Sequence, residues 1–244
     1  TGTDACRQAA DNILMDDDFS TLCAAVREGR TIYSNIRKFV RYLISCNIGE
    51  VIVMLLSIVT GLPVILLPAQ ILLVNLATDG LPAIALGLEP SEGEIMKKSP
   101  REFQGSFFAR GLIKKIVVRG LLIGVCTLLC FAYSLHMGLP LESARTCALV
   151  TLIASQLIHV FECRSEERSV FRLNPLKNLY LIGAVVISAA VTAACIYIPA
   201  LARAIDTVPL SYPELAWSVA FSACIPIISG LLMLITRKET GSPN

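Results

Sequence analysis

Apolar residues in this chain gather into six windows, at about 41–60, 68–88, 111–133, 144–163, 177–198 and 213–235. Each is about 20 residues long, the length an α-helix needs to cross the hydrocarbon core of a bilayer. The pattern predicts an all-α integral membrane fold with six transmembrane helices. The first window has no sharp beginning, because a run with few helix breakers leads into it from about Thr21. One helix from Thr21 to Thr60 would be about 60 Å long, about twice the hydrocarbon thickness. Residues 21–40 are therefore expected to stand out of the membrane as a stalk, with 41–244 as the membrane domain.

The links between windows differ in charge. The stretch before the first carries Arg27, Arg30, Arg37, Lys38 and Arg41. The link after the second is as basic, from Lys97 and Lys98 through Arg101 and Arg110 to Arg119, and that after the fourth holds Arg164, Arg168 and Arg172. The tail adds Arg237 and Lys238, whereas Gly61 to Leu67 has no basic residue and the remaining two links have one each, Arg145 and Arg203. Every basic piece falls on one side, which by the positive-inside rule places both termini in the cytoplasm. That regular alternation also argues against a soluble helical protein with a large core.

Composition agrees. Of 244 residues, 55 % are hydrophobic and 16 % charged, with a mean hydropathy of +0.67, against about 25 % charged in a typical soluble domain. A net charge of +2, with no basic stripe interleaved with aromatics, gives no sign of a nucleic-acid partner. The nine cysteines form no CxxC pair and there are two histidines, so neither a zinc site nor a disulfide framework is expected. Cys46, Cys126, Cys130, Cys195 and Cys224 lie in apolar runs and read as small fillers of membrane helices. The first 20 residues are polar, include Asp16-Asp17-Asp18 and open on Thr1 without a leader, so they read as the end of a soluble domain that begins upstream.

Two windows carry side chains that lipid would not tolerate. Asn47 and Glu50 are three residues apart and share a helix face; Asn75, Thr78 and Asp79 do the same in the second window. A carboxylate near the middle of a span costs roughly 2.5–3.5 kcal/mol on insertion scales, so it is rarely there without a task. Gly80 and Pro82 follow directly. Proline has no N–H and clashes with the carbonyl four residues back, so the helix is expected to unwind there and release carbonyls. Such backbone is tolerated at membrane depth where it lines a cavity or binds something. Facing each other, the two helices would supply two carboxylates, two amide oxygens and a hydroxyl, a hard-oxygen set suited to Ca²⁺. When the cation leaves, the low-dielectric pocket favours neutral acids, so Glu50 or Asp79 is expected to take up a proton.

The strings TGTDACRQAADNILMDDDFSTL, EGRTIYSNIRKFVRYLISCNIGEV, NLATDGLPAIALGLEP and IMKKSPR closely resemble the C-terminal part of P-type Ca²⁺-transporting ATPases of the sarco/endoplasmic reticulum type. The resemblance is specific from Thr1 to about Arg101 and weaker beyond, although Ser165 to Pro175 still fits. It implies that the six helices are the C-terminal six of a ten-span pump. Residues 1–20 would close its cytoplasmic phosphorylation domain, and 21–40 would be the stalk that transmits phosphorylation to the ion sites. It also implies that Asn47, Glu50, Asn75, Thr78 and Asp79 are Ca²⁺ ligands, with Asp79 serving two sites. Gln156 falls where the family carries a glutamate, which puts the two-ion stoichiometry in question, and Glu162, at the membrane edge near Arg164, is no substitute.

The DKTGT and TGDG strings of the family's phosphorylation domain do not occur here. By the resemblance this stretch alone is not expected to hydrolyse ATP; catalysis, with Mg²⁺ and ATP, would need the N-terminal part of the same pump. The remaining readings are a P-type pump for Mn²⁺ or another cation, and a non-catalytic truncated membrane protein. The expected setting is a multi-pass protein in the bilayer of the plasma membrane or an internal Ca²⁺ store.

Overall fold

The computed structural model of this chain describes residues 3–11, 13, 18–91, 95–100, 108, 111–165 and 177–239, with side chains described as far as 228 and not at 7. Among these residues the structure is helical: α1 (Asp4–Ala9), α2 (Phe19–Val59), α3 (Pro68–Leu73), a π-helical segment (Val74–Asp79), α4 (Gly80–Gly87), α5 (Leu112–His136), α6 (Leu141–Cys163), α7 (Leu179–Tyr197), α8 (Pro199–Ile205) and α9 (Tyr212–Glu239). Asp16, Asp17, Arg101, Arg110, Arg168, Arg172 and most of the segment from Ser165 to Pro175 lie outside the described residues, as do the side chains of Arg237 and Lys238.

Five stretches are long and apolar enough to cross a membrane: α2, the run Pro68–Gly87, α5, α6 and α7. The sixth window corresponds to the 28-residue α9, apolar from Tyr212 to Ile228. Helix α2 is continuous over 41 residues. It starts where Asp18 caps it, the carboxylate accepting the Ser20 N–H at 2.8 Å, an N-cap arrangement that satisfies an otherwise orphan donor. It stops at Gly61, whose φ of +68° suits a residue without Cβ. There the Gly61 and Leu62 N–H groups reach back to the Ile58 and Ser57 carbonyls at 3.2 and 3.0 Å, closing a Schellman motif.

Helix α6 is central, with 72 % of its apolar window covered by protein. Helices α2 and α5 make the most extensive contact, and glycines set how close they come. A Cβ on Gly120 would lie 2.4 Å from Ile48 Cγ2 and 3.0 Å from the Ser45 carbonyl; on Gly124 it would lie 2.6 Å from Ile52 Cγ2 and 3.0 Å from the Gly49 carbonyl. The spacing of four is the small-xxx-small device of membrane helices, which lets backbones touch where lipid supplies no hydrophobic drive.

The structure departs from the sequence expectations in three places. Pro68–Gly87 is not broken: it passes from α3 through the π segment into α4 without unwinding. Cys224 is exposed while Cys46, Cys126, Cys130 and Cys195 are buried as fillers, and all nine thiols are free. A short helix, α8, which the apolar pattern did not foreshadow, starts at Pro199, a residue pre-set for a first helical position.

Candidate cation site

The π segment explains how a helix carries Gly80 and Pro82 without breaking. In an α-register Pro82 would press on the carbonyl of Thr78. One widened turn shifts the pairing to five residues, and such turns recur at functional sites. The partner of Pro82 then becomes Ala77, whose carbonyl cannot be paired by a residue lacking N–H. The Ser188 hydroxyl on α7 donates to that carbonyl at 3.3 Å. The turn leaves Thr78 and Asp79 fully buried and Asn75 on an exposed edge.

Three elements meet at Asp79. Glu50 projects from α2, Asp79 from the π segment and Gln156 from α6. The Gln156 side-chain N–H₂ donates to Glu50 Oε1 at 3.1 Å and to Asp79 Oδ2 at 3.3 Å. Asn75 Nδ2 donates to Glu50 Oε2 at 2.8 Å, and the Tyr42 hydroxyl to Asp79 Oδ1 at 3.0 Å. The two carboxylates therefore sit within reach of one nitrogen and accept only neutral donors among these contacts. Gln156 Oε1 is buried and has no hydrogen-bond partner. Turned the other way, that oxygen would face two carboxylates, so only a positive charge between them would favour the reversal.

Such a set can hold a hard cation. Four carboxylate oxygens, the amide oxygens of Asn75 and Gln156 and the Thr78 hydroxyl surround a small volume, and Ca²⁺ takes about six to eight oxygens in flexible geometry. Among the described residues no three His, Cys, Asp or Glu side chains converge as a metal site. The cluster is thus a dicarboxylate completed by neutral oxygens.

The six residues singled out from the sequence are distributed unequally. Glu50, Asn75, Asp79 and Gln156 are joined by hydrogen bonds. Thr78 is buried beside Asp79, its hydroxyl donating to the Val74 carbonyl at 2.9 Å. Asn47 stands on an exposed face of α2 and donates to the Leu43 carbonyl at 2.9 Å, away from the others. Sequence reasoning missed Tyr42 and Ser188. Tyr42 was findable, since it lies eight residues before Glu50 and so on the same helix face. Ser188 had no signal, because its role depends on the widened turn of another helix.

Glu162 does not pair with Arg164. It bridges to Arg119 of α5 and lies 3.0 Å from His159 Nδ1. Arg164 instead holds Glu89 at 2.9 Å, where Asn178 Nδ2 also donates at 2.7 Å.

Comparison with known proteins adds a family context. The family described as "Cation transporting ATPase, C-terminus" matches residues 63–235. The chain is 48 % identical over 240 residues to the calcium-transporting ATPase of Bacillus subtilis, an alignment covering 98 % of this chain and 27 % of that protein. It is 32 % identical to the endoplasmic reticulum calcium ATPase srcA of Aspergillus fumigatus, covering 98 % of this chain and 28 % of the relative. Against the endoplasmic reticulum-type calcium-transporting ATPase 4 of Arabidopsis thaliana the identity is 31 %, covering 99 % and 28 %. The chain thus spans somewhat over a quarter of the length of the curated relatives it matches.

Proposed function

This chain belongs to the cation-transporting ATPases, in their C-terminal region, and from that premise we propose that it forms much of the ion pathway of an ATP-driven Ca²⁺ pump. The observation that carries the reading is the pair Glu50 and Asp79, bridged by one neutral amide in the middle of membrane-length helices. Buried carboxylates without a built-in cation are costly, and a transported Ca²⁺ supplies the missing charge. The names of the relatives support Ca²⁺ as the cargo.

In this reading α2, the run 68–87, α5, α6, α7 and α9 are six spans with both termini cytoplasmic. Residues 21–40 of α2 are the stalk, and its unbroken helix suits the transmission of force from an ATP-driven domain to Glu50. Residues 1–20 close that domain, and Mg²⁺ and ATP act in the remainder of the complete enzyme. Asn47 and Asn75 form an exposed polar flank beside Glu50, which the remainder of the pump would cover to complete the ligand shell. Gln156 contributes Oε1 once the amide turns.

The test is Ca²⁺ activation of ATP hydrolysis in the full-length protein, compared with Glu50→Gln and Asp79→Asn. Each variant is expected to need about 100-fold more Ca²⁺, about 2.7 kcal/mol. Activation at wild-type Ca²⁺ concentrations in both would overturn the assignment.

A further inference from the structure

Beyond the carboxylate cluster, a second group of titratable side chains lies at the C-terminal end of α6. His159 is one turn past Gln156 and fully buried. Its Nδ1 lies 3.0 Å from Glu162 Oε2, and its Nε2 lies 3.4 Å from Cys163 Sγ. Its ring also contacts that of Tyr42, with centroids 6.2 Å apart and planes tilted by 34°. Tyr42 in turn donates to Asp79. Polar groups therefore run from the Glu50–Asp79 cluster through Tyr42 and His159 to Glu162. Within that run Glu162 is where water is reached: its side chain is 12 % exposed and that of His159 0 %.

We propose that the His159–Glu162 pair is a proton-holding station that exchanges protons between water at the end of α6 and the Glu50–Asp79 cluster, by way of Tyr42. The proposal rests on the Ca²⁺-pump reading, because it is release of the cation that leaves two carboxylates in need of protons. A purely structural tie does not account for the histidine. Arg119 already matches the charge of Glu162 and anchors α5 to α9 by donating to the Ile225 carbonyl at 3.2 Å. Imidazole adds the one side chain whose ordinary titration falls between about pH 5 and 8.

The groups facing His159 fit a change of charge there. Arg41, Tyr42 and Cys46 come from α2, Arg119 from α5, Cys163 and Glu162 from α6 itself, and Asp79 from the π segment. Arg41 lies within electrostatic reach of both Glu162 and Cys163. The imidazolium is matched by Glu162; the neutral ring leaves Glu162 to the two guanidiniums. In the transfer, an imidazolium N–H bond breaks as a Tyr42 O–H bond forms, while the proton Tyr42 already carries passes to the Asp79 carboxylate. Glu162 then returns a proton from water to the imidazole. Turning of the His159 ring from Cys163 toward the phenol closes the gap between the two hydrogen-bonded runs.

The test uses the full-length protein in lipid vesicles, with proton and Ca²⁺ exchange followed together by stopped-flow dyes. His159→Gln keeps the shape and hydrogen-bonding capacity of the ring but cannot relay a proton at neutral pH; Glu162→Gln removes the other member. Both are expected to slow Ca²⁺-coupled proton exchange by about 10- to 100-fold. Both should also flatten its dependence across about pH 5 to 8, with the Ca²⁺ affinity measured at alkaline pH unchanged. Proton exchange at the wild-type rate and pH profile in His159→Gln would overturn the proposal. So would a parallel loss of Ca²⁺ affinity and thermal stability, which marks a structural tie. Wild-type protein that binds no Ca²⁺ would instead sink the pump reading, and the relay with it.

Discussion

Two acid-containing clusters in this protein are built from similar side chains and solve opposite problems. Near the ends of α4 and α6, Glu89 meets Arg164 in an ion pair, with Asn178 filling a further lone pair, and Glu162 meets Arg119. In the middle of the helices, Glu50 and Asp79 meet two amides and a phenol. The first arrangement is complete in itself; the second has negative charge left over. A buried charge lacking a partner is tolerated where something mobile supplies it. The difference separates a clasp that holds helices together from a cluster fitted to a cargo.

The contrast can be broken experimentally, starting with the clasp. Both partners are buried, with side-chain exposures of 3 % for Arg164 and 7 % for Glu89. Glu89→Ala strands the guanidinium and is expected to cost about 3–5 kcal/mol, whereas replacing both partners by apolar residues should recover most of it. Thermal unfolding in detergent would check this, and an equal loss in the single and double variants would refute the clasp. Next in size is the α2–α5 seam, which sets where Glu50 stands. Gly124→Ala pushes a methyl group against Ile52 and the Gly49 carbonyl, and overpacking of that kind costs about 1–3 kcal/mol. Because Gly49 adjoins Glu50, the same variant should also weaken Ca²⁺ binding, measured by isotope binding.

At the cargo cluster the sign reverses. Asp79→Asn removes unmatched charge and is expected to raise stability in Ca²⁺-free buffer by about 1 kcal/mol, while lowering Ca²⁺ affinity. A variant less stable than wild type in Ca²⁺-free buffer would show that Asp79 is matched internally, as Glu89 is. The smallest effect concerns the exposed start of α2. The Ser20 side chain and backbone N–H hold the Asp18 carboxyl below its ordinary value. Its contribution is therefore present above the unfolded value of about 3.9 and is lost as pH falls through the lower folded value. Asp18→Ala should speed amide exchange in the first turn of α2 at neutral pH and have no effect once the wild-type carboxyl is protonated.

Much of this architecture was legible one residue at a time. Window length and apolar content located the helices to within a few residues, because each must satisfy its own backbone across the same thickness of lipid. The continuity of α2 followed from the lack of breakers between Thr21 and Thr60. The consequence of Pro82 was not legible. Proline forbids one hydrogen bond, but whether the helix unwinds or widens depends on whether another helix satisfies the freed carbonyl, and Ser188 lies more than a hundred residues away. The same limit applied to Glu162: its neighbour in sequence, Arg164, was the nearest cation, yet packing of α5 against α6 placed Arg119 there and left Arg164 to Glu89.

By itself, then, the sequence determined the helices, their lengths and the acids set within them, because helix periodicity and the cost of polar groups in lipid are local properties. Which acids are matched and which are left for a cation was decided by the tertiary structure. Hydrogen bonds such as Gln156 to Glu50 and Asp79 join residues about a hundred positions apart, and only the crossing of three helices brings their few polar atoms within three ångströms or so of each other.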